Sequence, residues 1–250
     1  MEKELVSIIL PTFNSSKFIE QSIRSIQSQT YNNWELLITD DCSTDSTVKI
    51  LKSYQKTDNR IKIFVLDKNK GAGTARNNSI NKSKGRYIAF CDSDDLWFKE
   101  KLEKQINFIK LHDLSLTYSG YIEVSESGEL LKTKLSKETI SYNQILRNNY
   151  IHCFTAIYDS HILGKLYMPE IRKRQDWALW INILSTIGST RGIIEPLGLY
   201  RKRDNSISSN KLQLLKYNWR IYRKHLGFSF LKTIGYMLQF LYFYVLKKLT

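Results

Sequence analysis

Tyr87-Ile88-Ala89-Phe90-Cys91-Asp92-Ser93-Asp94-Asp95 is the stretch on which the reading of this chain turns. Five apolar residues run without a polar break into three carboxylates within four positions. A short unbroken apolar run predicts a strand buried on both faces, as in a parallel sheet. The acids at its end form either a solvated turn capping the next helix or a site for a hard cation. Mg²⁺ and similar ions bind through one or two carboxylates plus substrate phosphates.

Working outward, the same alternation of periods recurs. Val6-Ser7-Ile8-Ile9-Leu10 ends at Pro11, and Ile19, Ile23 and Ile26 follow at helical spacing between Ser16 and Gln29. Leu36–Thr39 reads as a second strand broken by Asp40-Asp41. A helix follows, with Val48, Leu51 and Tyr54 on one face. Ile61, Ile63 and Val65 alternate as a third strand, and Gly73 to Ser83 reads as another helix. Repeated strand-then-helix units predict an α/β fold with a mostly parallel sheet covered on both faces.

In such sheets ligands bind at the carboxyl ends of the strands. Polar clusters stand at those ends: Thr12-Phe13-Asn14 after the first strand, Asp40-Asp41 after the second, Asp92 to Asp95 after the fourth. This coincidence favours the binding reading of the acidic run over the turn. Asp40 suits a nucleobase ring N–H or a ribose hydroxyl, and Phe13 offers a stacking face. Helix capping by Asp41, Ser43 or Thr44 is the structural alternative. Gly71-Ala72-Gly73-Thr74-Ala75-Arg76-Asn77 has glycines for close backbone approach and an Arg suited to phosphate or carboxylate, but no Walker A lysine.

The second half is less regular. Leu102, Ile106 and Ile109 mark a helix, Glu126–Glu129 a turn between two strands, Trp177 to Ile187 a buried helix, and Leu197–Tyr200 a short strand. Residues 115–165 carry no assignable motif. The expected organisation is a ligand-binding half (1–100), a second half of the same domain (101–210), and a tail (211–250).

The chain has 250 residues, 42% of them apolar, enough for one sizeable core. Cys42, Cys91 and Cys153 are scattered with no CxxC pair, which argues against structural zinc and a disulfide framework. The first residues, Met1-Glu2-Lys3-Glu4, show no export leader, so a cytoplasmic location is expected. The net charge is +14, and eight of the 38 Lys/Arg lie in residues 211–250 with no acid among them. A nucleic-acid-binding role is disfavoured, because the basic residues are not interleaved with aromatics in a sheet motif and acidic clusters line the expected cleft.

In the tail Leu212, Leu215, Trp219, Tyr222 and Leu226 recur every three or four residues, beside Lys216, Arg220, Arg223 and Lys224. Residues 226–246 are rich in aromatics and Leu. A basic amphipathic segment of this kind suits an anionic membrane surface. Packing on the rest of the chain or in a homodimer is the alternative, and a true span is weakened by Lys232.

Taken together, Val6 to Asn14, Asp40-Asp41-Cys42-Ser43-Thr44-Asp45, Gly71 to Asn77 and Asp92-Ser93-Asp94-Asp95 resemble glycosyltransferase family 2 in order and spacing. The likeness continues more weakly through Gln175-Asp176-Trp177 and Tyr200 to Ser206. It implies a GT-A fold: a Rossmann-like, mostly parallel sheet flanked by helices, here with a C-terminal helical tail. It implies inverting transfer from a nucleotide-sugar, most often a UDP-sugar, to a glycan or lipid-linked glycan in cell-surface polysaccharide synthesis, with Mn²⁺ or Mg²⁺ as cofactor.

By that resemblance Pro11, Thr12, Phe13, Asn14, Asp40, Arg76, Asp92 and Ser93 hold the donor nucleotide. Asp94 binds the metal, Asp176 is the catalytic base, and Arg203 meets the diphosphate. Gln175 stands where Glu is common, and Arg203 where many members have His. The enzyme is then expected on the inner face of the cell membrane as a peripheral protein. A regulator that binds nucleotide-sugar without transferring it is the alternative, disfavoured by the presence of Asp94 and Asp176.

Overall fold

The computed structural model describes residues 4–203 and 211–249. In its first half β1 (Val6–Thr12), α1 (Ile19–Gln27), β2 (Trp34–Asp40), α2 (Thr47–Thr57), β3 (Ile61–Val65), α3 (Ala72–Lys82) and β4 (Tyr87–Phe90) follow as successive strand–helix units. β1 lies between β2 and β4, β3 lies outside β2, and all these pairings are parallel. The expected strands and helices are present, with boundaries shifted by up to three residues.

The second half adds β5 (Leu96–Trp97), α4 (Lys101–Leu111), β6 (Leu116–Val124), β7 (Leu130–Lys134), β8 (Thr139–Ser141), α5 (Tyr142–Ile145), β9 (Ile157–Asp159), α6 (Ser160–Leu163), α7 (Gln175–Ile187) and β10 (Ser189–Arg201). One sheet runs β3-β2-β1-β4-β9-β6-β10-β5, with β7 beside β6 and β8 beside β10. β9 is antiparallel to both β4 and β6, so the sheet is parallel on one side of β4 and mixed on the other. Residues 115–165, which carry no assignable motif, supply β6 to β9, and the expected turn at Glu126–Glu129 joins β6 to β7. β8 and β9 have three residues each and β7 is mostly exposed, too little for a periodic signal. β10 is far longer than the expected Leu197–Tyr200, because Pro196 sits at a register shift that interrupts its pattern.

Strand alternation divides the core. Ile8, Leu10, Leu36, Ile38 and Ala89 meet Ile19, Ile23 and Ile26 of α1 and Leu102, Ile106 and Ile109 of α4. Ile9, Leu37, Ile88 and Phe90 point the other way, toward Trp177, Trp180, Ile181 and Leu184 of α7. Both faces are covered, so these strands show no polar alternation.

The tail contains α8 (Lys211–Arg220), a π-helical turn (Ile221–His225) and α9 (Phe230–Leu249). Tyr222 is fully buried and donates its hydroxyl to the Leu146 carbonyl at 2.6 Å. Its ring meets Trp177 edge-on at 5.7 Å, and Phe240 lies 6.3 Å from the same indole. Part of the tail therefore packs on α7. Of the expected amphipathic set, Tyr222 is buried and Trp219 packs on Phe230, while the side chain of Leu212 lies outside the described residues. Among the described residues no helix is long and apolar enough to cross a membrane.

Gly198 joins β10 to β5, where a Cβ would stand 2.6 Å from the Leu96 carbonyl oxygen and 3.1 Å from the Phe154 ring. Gly198→Ala should lower the unfolding free energy by about 1–3 kcal/mol, read by urea denaturation. An unchanged transition would contradict this packing.

Candidate active site

Three parallel strands deliver their ends to one edge. Thr12 stands opposite Asp40 in the β1–β2 ladder, and Ile9 opposite Phe90 brings the end of β4 alongside. Phe13, just past β1, leaves 45% of its surface exposed, so a ring face is available at this edge. Thr12 Oγ1 is buried without a hydrogen-bond partner. Asp40 is fully buried, and its two carboxylate oxygens accept from the Ser43 amide (2.8 Å) and hydroxyl (2.5 Å). Asn14 takes a positive φ and accepts from the Thr44 amide at 2.8 Å, fastening the β1 loop to the β2 loop. The Ser93 hydroxyl lies 2.8 Å from that of Ser15, which ties the acidic loop to the same corner.

The acidic loop is held by cations. Arg76 comes from α3, is buried, and pairs with Asp92 at 2.5 Å. Burial penalises the guanidinium charge, but Asp92 and more distantly Asp176 outweigh it and raise its affinity for the proton. Arg203 Nε lies 2.9 Å from Asp94 Oδ2. Burial pushes the Asp94 carboxyl up, Arg203 opposes the rise, and the like charge of Asp92 adds to it. Asp95 is buried, accepts from the Arg201 amide at 3.0 Å, and leaves Oδ2 without a partner. Burial, then Asp94 and Asp92, push its carboxyl well above the usual range. Asp95 is thus the internal member of the cluster, and Asp92 and Asp94 are its outward members.

The sidedness of the site follows from α7. Its N-cap is Arg174, in a left-handed conformation, so Asp176 falls in the first helical turn and is not the cap. Trp177 Nε1 donates to the Ile145 carbonyl (2.6 Å) and Trp180 Nε1 to that of Ile151 (3.0 Å), which fixes the helix on the segment running from α5 to β9. From that segment Asn149 Nδ2 donates to Asp176 Oδ2 at 2.9 Å. Of the three basic residues before Asp176, Arg174 is half-buried and stacks over Trp177 and Phe240; burial lowers its proton affinity while Asp176 raises it. Gln175 lies against α3, where a Cβ on Gly73 would be 2.9 Å from its amide nitrogen. This contact is one reason for the second glycine of the Gly71–Asn77 segment.

Several supporting residues escaped the sequence reading. Asp41 accepts from the amides of Lys70 and Gly71, both at 2.7 Å, and so clamps the loop that launches α3 and Arg76. Arg201 donates to the carbonyls of Asp94 (3.1 Å) and Glu126 (3.0 Å) and to Gln21 (2.9 Å), locking the acidic loop from the far side. Arg201 falls in the weaker Tyr200 to Ser206 likeness, which gave it no role. Asn149 had no sequence signal. Asp204, Asn205 and Ser206 of the weaker motif lie outside the described residues.

A model of glycosyl transferase family 2 matches residues 7–165. The chain belongs to that family. It is similar to the putative teichuronic acid biosynthesis glycosyltransferase TuaG of Bacillus subtilis, 39% identical with 95% of each chain covered. It is also similar to WfgD of Escherichia coli, named a UDP-Glc:alpha-D-GlcNAc-diphosphoundecaprenol beta-1,3-glucosyltransferase, 38% identical over 88% of this chain and 86% of that one. Among solved structures it matches residues 1–349 of Staphylococcus aureus TarS in complex with UDP-GlcNAc, with a TM-score of 0.71 and 23% identity. That match covers 96% of this chain and 72% of TarS 1–349. The mixed sheet with flanking helices is thus the GT-A fold, with a C-terminal helix added.

One buried charge behind the family's acidic loop sets a measurable pH dependence. Lys101 is almost fully buried, donates to Gln105 and to the Thr155 carbonyl, and lies 4.9 Å from the Trp97 ring. Burial pushes its proton affinity down to about 7, against a small opposing effect of Cys91. The unfolded chain keeps this proton up to about pH 10.4. The cost of the buried charge is therefore fully present below pH 7 and is relieved as pH rises from about 7 to about 10. Lys101→Met should be more stable than the parent at pH 6, with the gap narrower at pH 9 in urea melts. A gap independent of pH would contradict this.

Proposed function

We propose that this chain is an inverting, metal-assisted transferase that moves a sugar from a UDP-sugar to a hydroxyl of a glycan or lipid-linked glycan in cell-surface polysaccharide synthesis. What supports the reading is the geometry of the strand-end edge, where the Arg76–Asp92 and Arg203–Asp94 pairs stand beside the ends of β1 and β2. In this reading that edge takes the leaving group and Asp176, held by Asn149, is the base. The names of TuaG and WfgD support the substrate class, and the name of WfgD supports a lipid-diphosphate-linked acceptor.

In this reading the nucleotide lies along Pro11 to Asn14. Its base stacks on Phe13 and bonds to Thr12 and Asp40, and its ribose and phosphates meet Asp92 and Ser93. Arg76 holds the donor chiefly by orienting Asp92. Asp94 would hold Mn²⁺ or Mg²⁺ together with diphosphate oxygens. Among the described residues no three His, Cys, Asp or Glu side chains form a metal cage, so the donor set suits an ion completed by substrate phosphate. Such an ion supplies Lewis-acid neutralisation of the departing diphosphate. Arg203, already at Asp94, adds a second positive charge there.

Asp176, oriented by Asn149, accepts the proton of the acceptor hydroxyl. That oxygen forms its bond to the anomeric carbon from the face opposite the diphosphate, which leaves with the electron pair of the broken C–O bond. The configuration inverts. We further propose that residues 211–250 rest on the anionic inner face of the cell membrane as a peripheral contact. Leu231, Leu238, Leu241 and Tyr242 of α9 are exposed while Thr233 and Phe240 are buried, and Arg223, Lys224 and Lys232 are exposed in the same tail.

Asp176→Asn should reduce sugar transfer about 10²–10⁴-fold while UDP affinity is retained. The measurement is initial rate with UDP-glucose and a GlcNAc-diphosphate bearing an alkyl tail, beside calorimetric binding of UDP. Transfer at the parental rate would remove Asp176 as the base.

A further inference from the structure

The part of the sequence that carried no motif assembles an aromatic cluster beyond the acidic loop. Tyr121 of β6, His152 before β9 and Tyr200 of β10 come from three separated segments. Their rings make mutual contacts: Tyr121 to His152 at 4.4 Å, Tyr121 to Tyr200 at 5.8 Å, and His152 to Tyr200 at 5.4 Å between centroids. Phe154 lies buried beneath them, 6.0 Å from Tyr200 and nearly parallel to it, and 5.7 Å from Tyr121. The other three rings are only half-buried. The Tyr121 hydroxyl and His152 Nε2 are 2.8 Å apart, so the cluster carries polar groups at its rim as well as ring faces.

Its position is specific. Tyr200 immediately precedes Arg201, whose amide and guanidinium hold Asp95 and the Asp94 carbonyl. His152 immediately precedes Cys153, whose thiol senses Arg76, Asp92, Asp176 and Asp95. Three residues back along the chain, Asn149 holds Asp176. The cluster thus adjoins the segment that joins the proposed base to the acidic loop. Phe13 follows β1, three strands from β6 in the sheet, or roughly 14 Å at ordinary strand spacing. That separation leaves room for the donor's diphosphate and sugar between the base-stacking ring and this cluster.

We infer that Tyr121, His152 and Tyr200 form the subsite that binds the pyranose ring of the acceptor and aims its hydroxyl at Asp176. A pyranose has an apolar C–H face rimmed by hydroxyls. Aromatic faces with a few convergent polar groups match both properties. The inference rests on the transferase reading and adds to it which residues select the acceptor. These residues act through KM and alignment, and none touches the departing diphosphate.

The test uses the full chain with UDP-glucose and the alkyl-tailed GlcNAc-diphosphate as probe acceptor. His152→Ala and Tyr200→Leu should each raise the acceptor KM about tenfold or more, the loss of about 1.4 kcal/mol of binding. UDP affinity and acceptor-free UDP release should stay within twofold of the parent. Tyr121→Phe keeps the ring and its packing but removes the hydroxyl, and should raise the acceptor KM by a smaller factor with thermal stability nearly unchanged. An acceptor KM unmoved in all three variants overturns the inference, as does a fall in UDP affinity that parallels the change in KM. Release of UDP by the parent without transfer to the probe overturns the pyranose assignment alone. A parent that neither binds UDP nor releases it from UDP-glucose overturns the transferase reading beneath it.

Discussion

Three carboxylates at the end of a buried strand cannot be left to repel one another, and the arrangement that balances them organises the rest of the structure. Arg76 from α3 faces Asp92, Arg203 faces Asp94, and the Arg201 amide donates to one oxygen of Asp95. The partners come from two separated parts of the chain, α3 for Arg76 and the end of β10 for Arg201 and Arg203, so the loop draws on both halves of the sheet. Burial sharpens the demand: an unpaired charge here would cost several kcal/mol, and Asp95 answers it with a strongly raised proton affinity. Under the proposed function, the two outward carboxylates and the cations that face them are where a diphosphate would exchange partners.

The first hundred residues were legible because their strands are buried on both faces and their polar clusters fall at strand ends. Ile8, Ile9 and Leu10 alternate between two cores, and so read as an unbroken apolar run. The register that puts Thr12 opposite Asp40 follows from parallel pairing of such runs. What could not be read is long-range. The pairing of Arg76 with Asp92 depends on how α3 packs against β1 and β2, and the bond from Asn149 to Asp176 crosses 27 residues without any periodic signal. β9 has only three residues, yet it turns the sheet from parallel to mixed. Asp176 was recognisable by resemblance, but its place inside the first turn of α7 required the left-handed Arg174 to be seen.

The tail is coupled to this site through α7. Tyr222 and Phe240 pack on Trp177, the residue next to Asp176, and Arg174 stacks on both Trp177 and Phe240. The buried face of α9 therefore has a defined relation to the proposed base, and its exposed side, with Leu231, Leu238 and Tyr242, has a defined direction as well. A peripheral contact through that side would present a lipid-borne acceptor at a fixed orientation to α7.

In the proposed function the acidic loop binds a nucleoside diphosphate together with a divalent ion through Asp94. Calorimetric titration of UDP into the parent and into Asp94→Asn, each with and without Mn²⁺, tests it most directly. The ion should tighten UDP binding to the parent by about tenfold or more, some 1.4 kcal/mol, and should have no such effect on the variant. UDP binding that is indifferent to Mn²⁺ in the parent, or equally enhanced in Asp94→Asn, would contradict it.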